Sequence, residues 1–453
     1  MQKQRVLILG AGISGLSLAW YLSKSSVPLD ITILEKSERP GGWLHTDLST
    51  GFLFEKGPRT FKVDKSPSIV SLLHELGLDE EIVWSEERPH HRYLWVKDRL
   101  LRFPRNPVSF LLSPLTKGFL PALFTEWKKA VQYGDETVWN FVARRFNEDV
   151  ARLFFDPMVV GIFGGDCRYI SVRSCFPTLK RWEEEHGSVT KGFWIALKEK
   201  RKQSKFSPTI PELPLSAMYS LNGGIEQIIK TLVRKAPADV RYRSEVTAIK
   251  DLGSEVEVVA SDQVYKADVL FCALPVAQTG YLLRSLSPEH SEKLSKVKSC
   301  SVTVINVGYT QNVLPVEGFG YLTSTYSKED ILGVVFDSSV FPQHNERPFE
   351  TRLTIKLEDR GLSRDSMIEN ALQGIKRHLG ITKLPDAISY KLAINAIPQY
   401  GVGHLDMMAK LEKDLTEKLP RLRFVGNYLS GVSVDQCIAR SKDVAQQWSA
   451  QHL

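Results

Sequence analysis

A strand, a glycine-rich turn, a helix and a second strand ending on an acid occupy the first 35 residues, and this order constrains the fold of the chain. Residues 6–9 are uniformly apolar and predict a buried strand, and residues 10–15, GAGISG, follow it directly. Residues 31–34 predict the second strand, which ends on Glu35, 20 residues after Gly15. Such glycines let the backbone approach a phosphate, and the carboxylate can accept hydrogen bonds from ribose hydroxyls. The unit predicts a dinucleotide-binding α/β domain.

A secretory signal or a membrane helix is an alternative interpretation, because residues 6–22 carry no charge and follow Lys3 and Arg5. Three glycines within six residues are unfavourable for a spanning helix, and no small-residue cleavage site follows before the second strand. A glycine turn that binds nothing is the other alternative. Glu35, in the position of a ribose-binding acid, argues against it.

Size, charge and cysteine usage narrow the class of protein. A chain of 453 residues is too long for one hydrophobic core and predicts two or three domains. The net charge of +7 is mildly basic, but no block of Lys and Arg interleaved with aromatic residues indicates nucleic-acid binding. The five cysteines form no C-x-x-C pair and no Cys/His cluster, so we expect reduced thiols and no metal site.

Residues 91–212 differ in character from the N-terminal unit and predict a largely helical region. Within it, residues 103–130 combine Phe, Leu and Pro with flanking Arg and Lys. The apolar pieces are too short and too often interrupted by Pro to span a bilayer, but they could lie in the membrane interface with the basic residues toward lipid headgroups. A buried helical subdomain under a basic rim is the alternative.

The next stretch returns to the dinucleotide domain. Residues 219–232 predict a helix, and residues 240–259 alternate in the way that a β-meander requires. Residues 267–275 predict a buried strand that closes the dinucleotide sheet.

The C-terminal part contains a second sheet and then another piece of the first domain. Several β-rich segments and a helix at 365–379 predict an α+β region over residues 281–414. Residues 422–427 predict a strand and a turn, and a terminal helix begins after Gly431. The N-terminus of that helix could stabilise negative charge on a cofactor.

Residues 35–43, EKSERPGGW, extend the dinucleotide unit in a way that resembles the FAD enzymes of the amine oxidase and protoporphyrinogen oxidase superfamily. Further segments resemble the same enzymes nearly from end to end, and the runs RSCFP and IPQY are much more specific than the glycine motif. These segments are residues 9–16, 54–59 (FEKGPR), 135–138 (DETV), 161–179, 220–226, 318–322, 397–404 (IPQYGVGH) and 431–438. By this resemblance the chain is identified as a member of the protoporphyrinogen/coproporphyrinogen oxidase family.

The resemblance implies an α/β chain, α+β overall, with three domains. They are a Rossmann-type FAD-binding domain of the amine oxidase and p-hydroxybenzoate hydroxylase type, a helical membrane-binding domain and a β-rich substrate domain. The FAD domain would comprise residues 1–90, 213–280 and 415–453, the membrane-binding domain residues 91–212 and the substrate domain residues 281–414.

The resemblance also implies a reaction and its partners. An oxygen-dependent oxidase of this family acts on CH–CH donors and uses non-covalent FAD. It converts protoporphyrinogen IX to protoporphyrin IX in a six-electron oxidation, in which O2 is the acceptor and is reduced to hydrogen peroxide. This reaction is the penultimate step of haem biosynthesis. The resemblance further implies a cytoplasmic protein in peripheral contact with the cytoplasmic membrane. A homodimer and a hand-off of the product to ferrochelatase are additional expectations.

Residues at matching positions receive roles from the resemblance. Arg92 matches the partner of a substrate propionate, and Gly161, Phe319, Gly320 and Leu322 match the walls of the substrate slot. Aromatisation of the macrocycle drives the reaction, so the protein mainly has to hold a flat, apolar tetrapyrrole against the flavin. An apolar slot with one or two cations is therefore expected rather than an acid/base pair.

A larger set of residues matches the FAD site. Arg59 would support the cofactor rather than catalysis, and Val246 would contact the adenine end through its backbone. The matching positions are Gly10, Ala11, Gly12, Ile13, Ser14, Gly15, Glu35, Arg39, Gly42, Trp43, Gly57, Pro58, Arg59, Thr60, Val246, Leu405, Val432, Ser433 and Val434.

Some positions depart from the family pattern, and three other functions stay open. Lys356 stands where animal relatives carry an apolar pocket residue, and Leu405 where they carry a tryptophan near the flavin. Lys356 and the net positive charge leave a coproporphyrinogen III oxidase as an alternative, because its substrate has four carboxylates instead of two. A flavin amine oxidase is another alternative, because Tyr428, ahead of Gly431, stands where such enzymes place one wall of an aromatic cage. The absence of an evident general acid or base motivates a non-catalytic flavin or tetrapyrrole carrier.

Overall fold

The computed structural model of the chain describes residues 3–85, 91–104, 106–203, 218–327 and 329–452. The strands are β1 (Gln4–Leu9), β2 (Leu29–Leu34), β3 (Thr46–Asp47), β4 (Phe54–Glu55), β5 (Phe61–Lys62), β6 (Ile82–Trp84), β7 (Arg92–Val96), β8 (Arg99–Arg102), β9 (Met218–Leu221), β10 (Ala238–Arg241), β11 (Val246–Asp251), β12 (Val256–Ala260), β13 (Gln263–Ala267), β14 (Val269–Cys272), β15 (Ser299–Tyr309), β16 (Gly320–Thr323), β17 (Ile331–Val335), β18 (Thr351–Glu358), β19 (Ala387–Pro398) and β20 (Leu422–Phe424). The α-helices are α1 (Ile13–Leu22), α2 (Pro67–Glu75), α3 (Pro107–Leu112), α4 (Phe119–Thr125), α5 (Val138–Arg145), α6 (Glu148–Val150), α7 (Asp156–Phe163), α8 (Val172–Cys175), α9 (Pro177–His186), α10 (Val189–Gln203), α11 (Gln227–Lys235), α12 (Val276–Leu283), α13 (Pro288–Ser295), α14 (Asp337–Val340), α15 (Arg364–Leu379), α16 (His404–Lys418) and α17 (Val434–Gln451).

A parallel sheet with the strand order β10–β2–β1–β14–β20 contains the N-terminal unit. Val6 of β1 lies between Ile31 of β2 and Val269 of β14, so the apolar run occupies the centre of the sheet. Ile8 packs into the cluster formed with α1, α11 and α17, and Leu7 packs into the cluster formed with the β11–β13 meander and α16. Central parallel strands are buried on both faces, which explains why β1 is apolar without alternation. The predicted strand–turn–helix–strand unit is confirmed.

The segment that follows β9 differs in part from the prediction. The meander β11–β12–β13 is antiparallel as predicted, but β10 pairs with β2 at the edge of the parallel sheet. The helix predicted over residues 219–232 is wrong at its start, because Tyr219 lies in β9 and α11 begins at Gln227. Tyr219 is buried against aromatic side chains of β5 and β6, and the positive φ angles of Gly223 and Gly224 prevent a helix between β9 and α11.

The second large sheet has the strand order β19–β15–β18–β17–β16–β7–β8. All its pairs are antiparallel except β16–β7, which is parallel. The expectation that the chain becomes helical at residue 91 is therefore wrong for residues 92–102. Trp95 of β7 is buried and stacks on His378 of α15 at 4.0 Å between ring centroids, so the sheet core holds this strand pair in place.

Helices α3–α10 form the predicted helical region, and the predicted boundary after residue 212 lies outside the described residues. A buried ion pair between Arg145 and Glu126 organises this region, and Glu126 also accepts the Val189 N–H at 2.9 Å at the start of α10. In the described ranges, none of the helices is long and apolar enough to cross a membrane. Leu112 and Phe124 nevertheless expose 77% and 76% of their surface.

The two faces of the second sheet have different partners. Leu353 and Ile355 of β18 belong to the buried cluster shared with α15. Thr354 and Lys356, which alternate with them, point to the opposite face. That face meets α7 and the dinucleotide domain, as described below.

Candidate active site

The turn between β1 and α1 leaves an open backbone cradle. Gly10 has φ +96°, a conformation that L side chains rarely adopt. A Cβ on Gly15 would overlap the carbonyl oxygen of Gly10, so Gly15 is needed for the close packing of helix on strand. A Cβ on Gly12, in contrast, would have no protein atom within 4 Å. Gly12 therefore borders open space directly in front of α1.

The first turn of α1 faces that space. Gly12 is the N-cap of the helix, and no side chain caps the turn, so the N–H groups of Ile13 and Ser14 point toward a site for an anion.

Glu35 lies beside the same turn at the C-terminal end of β2. One of its carboxylate oxygens accepts the Ala11 N–H at 2.9 Å, and the other accepts the Ser37 N–H at 2.9 Å. These bonds hold the carboxylate where the ribose of a dinucleotide lies in folds of this type.

The loop that follows β2 folds back over the glycine turn. The Gly41 N–H donates to Ala11 O at 2.7 Å. The Arg39 guanidinium donates to Gly42 O at 2.8 Å and approaches Glu226 at 3.4 Å. Burial is the largest influence on Arg39 and lowers its pKa, while Glu226 opposes that shift. Arg39 thus rigidifies the loop and adds positive charge beside the cradle.

Gly57, Pro58, Arg59 and Thr60 form the next segment along this surface. A Cβ on Gly57 would overlap the carbonyl oxygen of Trp43, so the two loops are in backbone contact. The buried Arg59 guanidinium pairs with Asp337 at 3.2 Å and donates to the Thr354 hydroxyl. Arg59 therefore ties this loop to the second sheet.

The N-terminus of α17 contains three further residues of the predicted cofactor site. Ser433 is the N-cap and accepts the Gln436 N–H at 3.2 Å, while Val434 begins the helix and Val432 is half-buried before it. Asp435 accepts the Ser68 N–H at 2.7 Å, which fixes this helix end against α2.

Val246 and Leu405 are the two remaining residues of the predicted cofactor set. Val246 is buried at the start of β11, and the Ser244 N–H, two residues earlier, donates to Glu35 O at 2.8 Å, so Val246 is near Glu35. Leu405 is half-buried in the first turn of α16. The adjacent His404 donates to Tyr428 O at 2.7 Å in the turn before α17.

The predicted slot residues come together where β7, β16 and α7 meet. Gly320 pairs with Arg92 in register, and the Arg92 guanidinium lies 5.3 Å from the centroid of the Phe319 ring. A Cβ on Gly161 of α7 would overlap the side chain of Leu322, so the helix rests directly on this strand. The structure thus brings together all five residues, although 227 positions separate Arg92 from Phe319 (319 − 92).

Residues that sequence reasoning did not single out hold this arrangement in place. Asp135 accepts the Ser171 hydroxyl at 2.8 Å and the Gly403 N–H at 2.9 Å. The Gln399 amide donates to Phe163 O at 2.8 Å. These bonds join the end of α7 to the segment before α16. Asp135 lies in the DETV segment and Gln399 in the IPQY segment, so the resemblance marked both segments without giving either side chain a role.

Tyr428 does not line an open cleft. Its side chain is 1% exposed within the cluster around β20, α16 and the meander, and burial raises its pKa well above the usual value. This position gives no support to an aromatic cage for an amine.

A family model described as Flavin containing amine oxidoreductase matches residues 13–447. The chain belongs to this family. Protoporphyrinogen oxidase of Homo sapiens is 30% identical over 465 residues, which cover 97% of each chain. Coproporphyrinogen III oxidase of Staphylococcus aureus is 25% identical over 98% of each chain. The chain is thus an FAD-dependent oxidase of the porphyrinogen oxidase family.

Solved structures of the family share the fold. A crystal structure from Exiguobacterium sp. 255-15 matches with a TM-score of 0.85 at 20% identity over 100% of both chains. A putrescine oxidase structure matches with a TM-score of 0.71 at 16% identity over 99% of each chain. The described residues fit FAD, since the open cradle at Gly12, the uncapped turn of α1 and the carboxylate of Glu35 are the groups that a dinucleotide requires.

Proposed function

We propose that this protein oxidises protoporphyrinogen IX to protoporphyrin IX with FAD and O2, in six electrons and with hydrogen peroxide as the reduced product. The observation that carries the proposal is the convergence of Arg92, Gly161, Phe319, Gly320 and Leu322 where β7, β16 and α7 meet, in the sheet that Arg59 also contacts through Thr354. Full-length similarity to protoporphyrinogen oxidases at 30% identity supports the same substrate.

The residues of the cradle would bind the cofactor. The turn at Gly12 and the first turn of α1 would take the pyrophosphate, Glu35 the ribose and the start of α17 the flavin ring. When bound, FAD supplies the two-electron acceptor that porphyrinogen oxidation needs. The protein itself orients the substrate and excludes water from the reacting face.

The slot residues would position the macrocycle. Arg92 would pair with a propionate in a charge-assisted hydrogen bond, and Phe319 would hold the guanidinium from one side. The absence of a side chain at Gly161 leaves room for Leu322. No acid/base dyad is required, because aromatisation supplies the driving force.

Coproporphyrinogen III is the second candidate substrate, and Lys356 is the observation that favours it. Lys356 lies on the same sheet face as Leu322, and its charge suits a substrate with more carboxylates. The two functions separate in one assay of purified protein, whose FAD content is measured, with each porphyrinogen under air. We expect porphyrin fluorescence to develop with protoporphyrinogen IX. Turnover of coproporphyrinogen alone, or of neither compound, would refute the proposal.

We further propose that the helical region rests on a membrane surface. Leu111, Leu112, Phe124 and Trp127 are exposed beside the exposed Lys117, Lys128 and Lys129. Flotation with vesicles that contain anionic lipid should carry the protein upward, and Leu112→Gln with Phe124→Gln should reduce this recovery. Leu384→Gln is the matched control, because Leu384 is 75% exposed and lies outside this region. Equal flotation of all variants would contradict membrane contact.

A further inference from the structure

Lys356 occupies a row of side chains on the slot side of the second sheet. Directly paired residues of neighbouring strands point to the same face, and the register runs from Leu322 to Gly333, from Gly333 to Lys356 and from Lys356 to Val304. Leu322 contacts α7 at Gly161, so the amine is on the face that holds the predicted slot. Gly333 has no side chain, and a Cβ there would lie 2.9 Å from the Leu322 side chain, so Leu322 is the slot residue that covers the strand next to Lys356.

Lys356 forms no ion pair within the part of the chain that the structure describes. No carboxylate in the described ranges comes within ion-pair distance of its Nζ, and no hydrogen bond to a described residue satisfies it. Asp337 exerts a favourable electrostatic influence on Lys356, but Asp337 is already paired with Arg59 at 3.2 Å and accepts the Thr354 hydroxyl at 2.7 Å. A half-buried ammonium without a partner is costly, so an anion that enters the slot from outside the chain would stabilise the charged form of Lys356.

The positions of Lys356 and Arg92 restrict what that anion can be. Arg92 lies on β7 and Lys356 on β18, three strand positions away in the sheet order. Three strand spacings correspond to about 14 Å between the two backbones, so side chains that stand perpendicular to the sheet would bind separate carboxylates. Carboxylates on opposite sides of a large flat ring meet this spacing. Protoporphyrinogen has propionates on two adjacent pyrroles only, whereas coproporphyrinogen has one on each of four.

We propose that Lys356 is a specificity-determining residue that binds a propionate of a tetracarboxylate porphyrinogen, so that this protein accepts coproporphyrinogen as well as protoporphyrinogen. This inference rests on the proposed function, because it requires porphyrinogen in the slot. The vinyl groups of protoporphyrinogen would occupy the same end without pairing to the amine.

The test compares wild type, Lys356→Met and Lys356→Arg with both porphyrinogens. Methionine matches the length of lysine without its charge. A charge-assisted hydrogen bond predicts that Lys356→Met raises KM for coproporphyrinogen about 10- to 100-fold, while KM for protoporphyrinogen changes less than about 2-fold. Lys356→Arg should restore most of the coproporphyrinogen affinity. Lys376→Met, an exposed site on α15, controls for loss of one positive charge.

Binding of the oxidised porphyrins gives a second readout that does not depend on turnover. Burial, with Arg59 as the next influence and Asp337 opposing, lowers the pKa of Lys356 to about 8. Affinity of wild type for coproporphyrin III should therefore fall as pH rises through this region, and Lys356→Met should lack this pH dependence. FAD content of each variant reports whether the cofactor site is intact.

The outcomes separate this inference from the proposed function. Equal KM changes for both substrates, an unchanged KM for coproporphyrinogen, or a loss of kcat alone would overturn the role of Lys356. Failure of wild type to oxidise protoporphyrinogen would instead overturn the proposed function. A selective rise in KM for coproporphyrinogen, rescued by arginine, is the expected result.

Discussion

Substitution of Gly12 by valine tests whether the cradle binds the FAD pyrophosphate. Gly12 has φ −73° and ψ 179°, which valine adopts without strain. A Cβ there meets no protein atom within 4 Å, so the side chain would extend into the open space rather than into the core. The folded polypeptide should therefore keep its stability, while the FAD pyrophosphate can no longer approach the turn.

The expected loss of FAD affinity follows from the hydrogen bonds between α1 and the phosphate that the valine side chain would prevent. Two N–H groups in the first turn of α1 are within reach of a phosphate, and a hydrogen bond to a charged group contributes about 1.5–3 kcal/mol. Losing both corresponds to about 3–6 kcal/mol, which weakens FAD binding by roughly 10²- to 10⁴-fold. The variant should purify without the yellow flavin absorbance.

FAD titration and thermal unfolding of flavin-free protein measure the two parts of this prediction. Gly15→Val is the matched control, because its Cβ would overlap the carbonyl oxygen of Gly10 and destabilise the domain with or without FAD. A Gly12→Val protein that retains stoichiometric flavin, or that unfolds as Gly15→Val does, would refute this account of the cradle.

Three further predictions concern the slot and the domain that carries it. Arg92→Ala should raise KM for porphyrinogen roughly 10- to 100-fold with FAD content unchanged, since a propionate loses a charge-assisted partner worth about 1.5–3 kcal/mol; unchanged steady-state kinetics would remove Arg92 from the site. Burial raises the pKa of Glu55 from 4.5 to about 7. The contribution of this group to the free energy of unfolding is therefore fully present below about pH 4.5 and is lost as pH rises through 7. The loss is about 3 kcal/mol, and urea unfolding should show it in wild type but not in Glu55→Gln, whereas parallel pH curves for the two proteins would contradict it. Gly161→Val should push Leu322 into the slot and lower kcat/KM with FAD retained, and wild-type kcat/KM would argue against this contact.

The dinucleotide domain could be predicted from sequence because its signals are local. The apolar run of β1, the spacing of Gly10 to Gly15 and the position of Glu35 each act within one or two neighbouring elements. The β-rich character of residues 281–414 could also be predicted, because a buried strand needs an apolar or alternating run that is visible along the chain.

The pairing of distant segments could not be predicted from local patterns. Strand β7 joins β16 across more than 200 residues, and no feature of residues 92–96 names that partner. The direction of Arg59 depends in the same way on Asp337, which lies at the start of α14, 278 residues farther along the chain. The resemblance identified Arg92 and Gly320 as slot residues, but the structure was needed to show that they are neighbours in one sheet.

The most direct test of the central claim is an anaerobic mixing experiment. Purified protein of known FAD content is mixed with protoporphyrinogen IX, and flavin absorbance and porphyrin fluorescence are followed before and after air is admitted. We predict that the flavin absorbance bleaches on mixing and returns with oxygen while porphyrin fluorescence grows. A flavin that stays oxidised when the porphyrinogen is added would contradict the claim that the slot presents a tetrapyrrole to FAD.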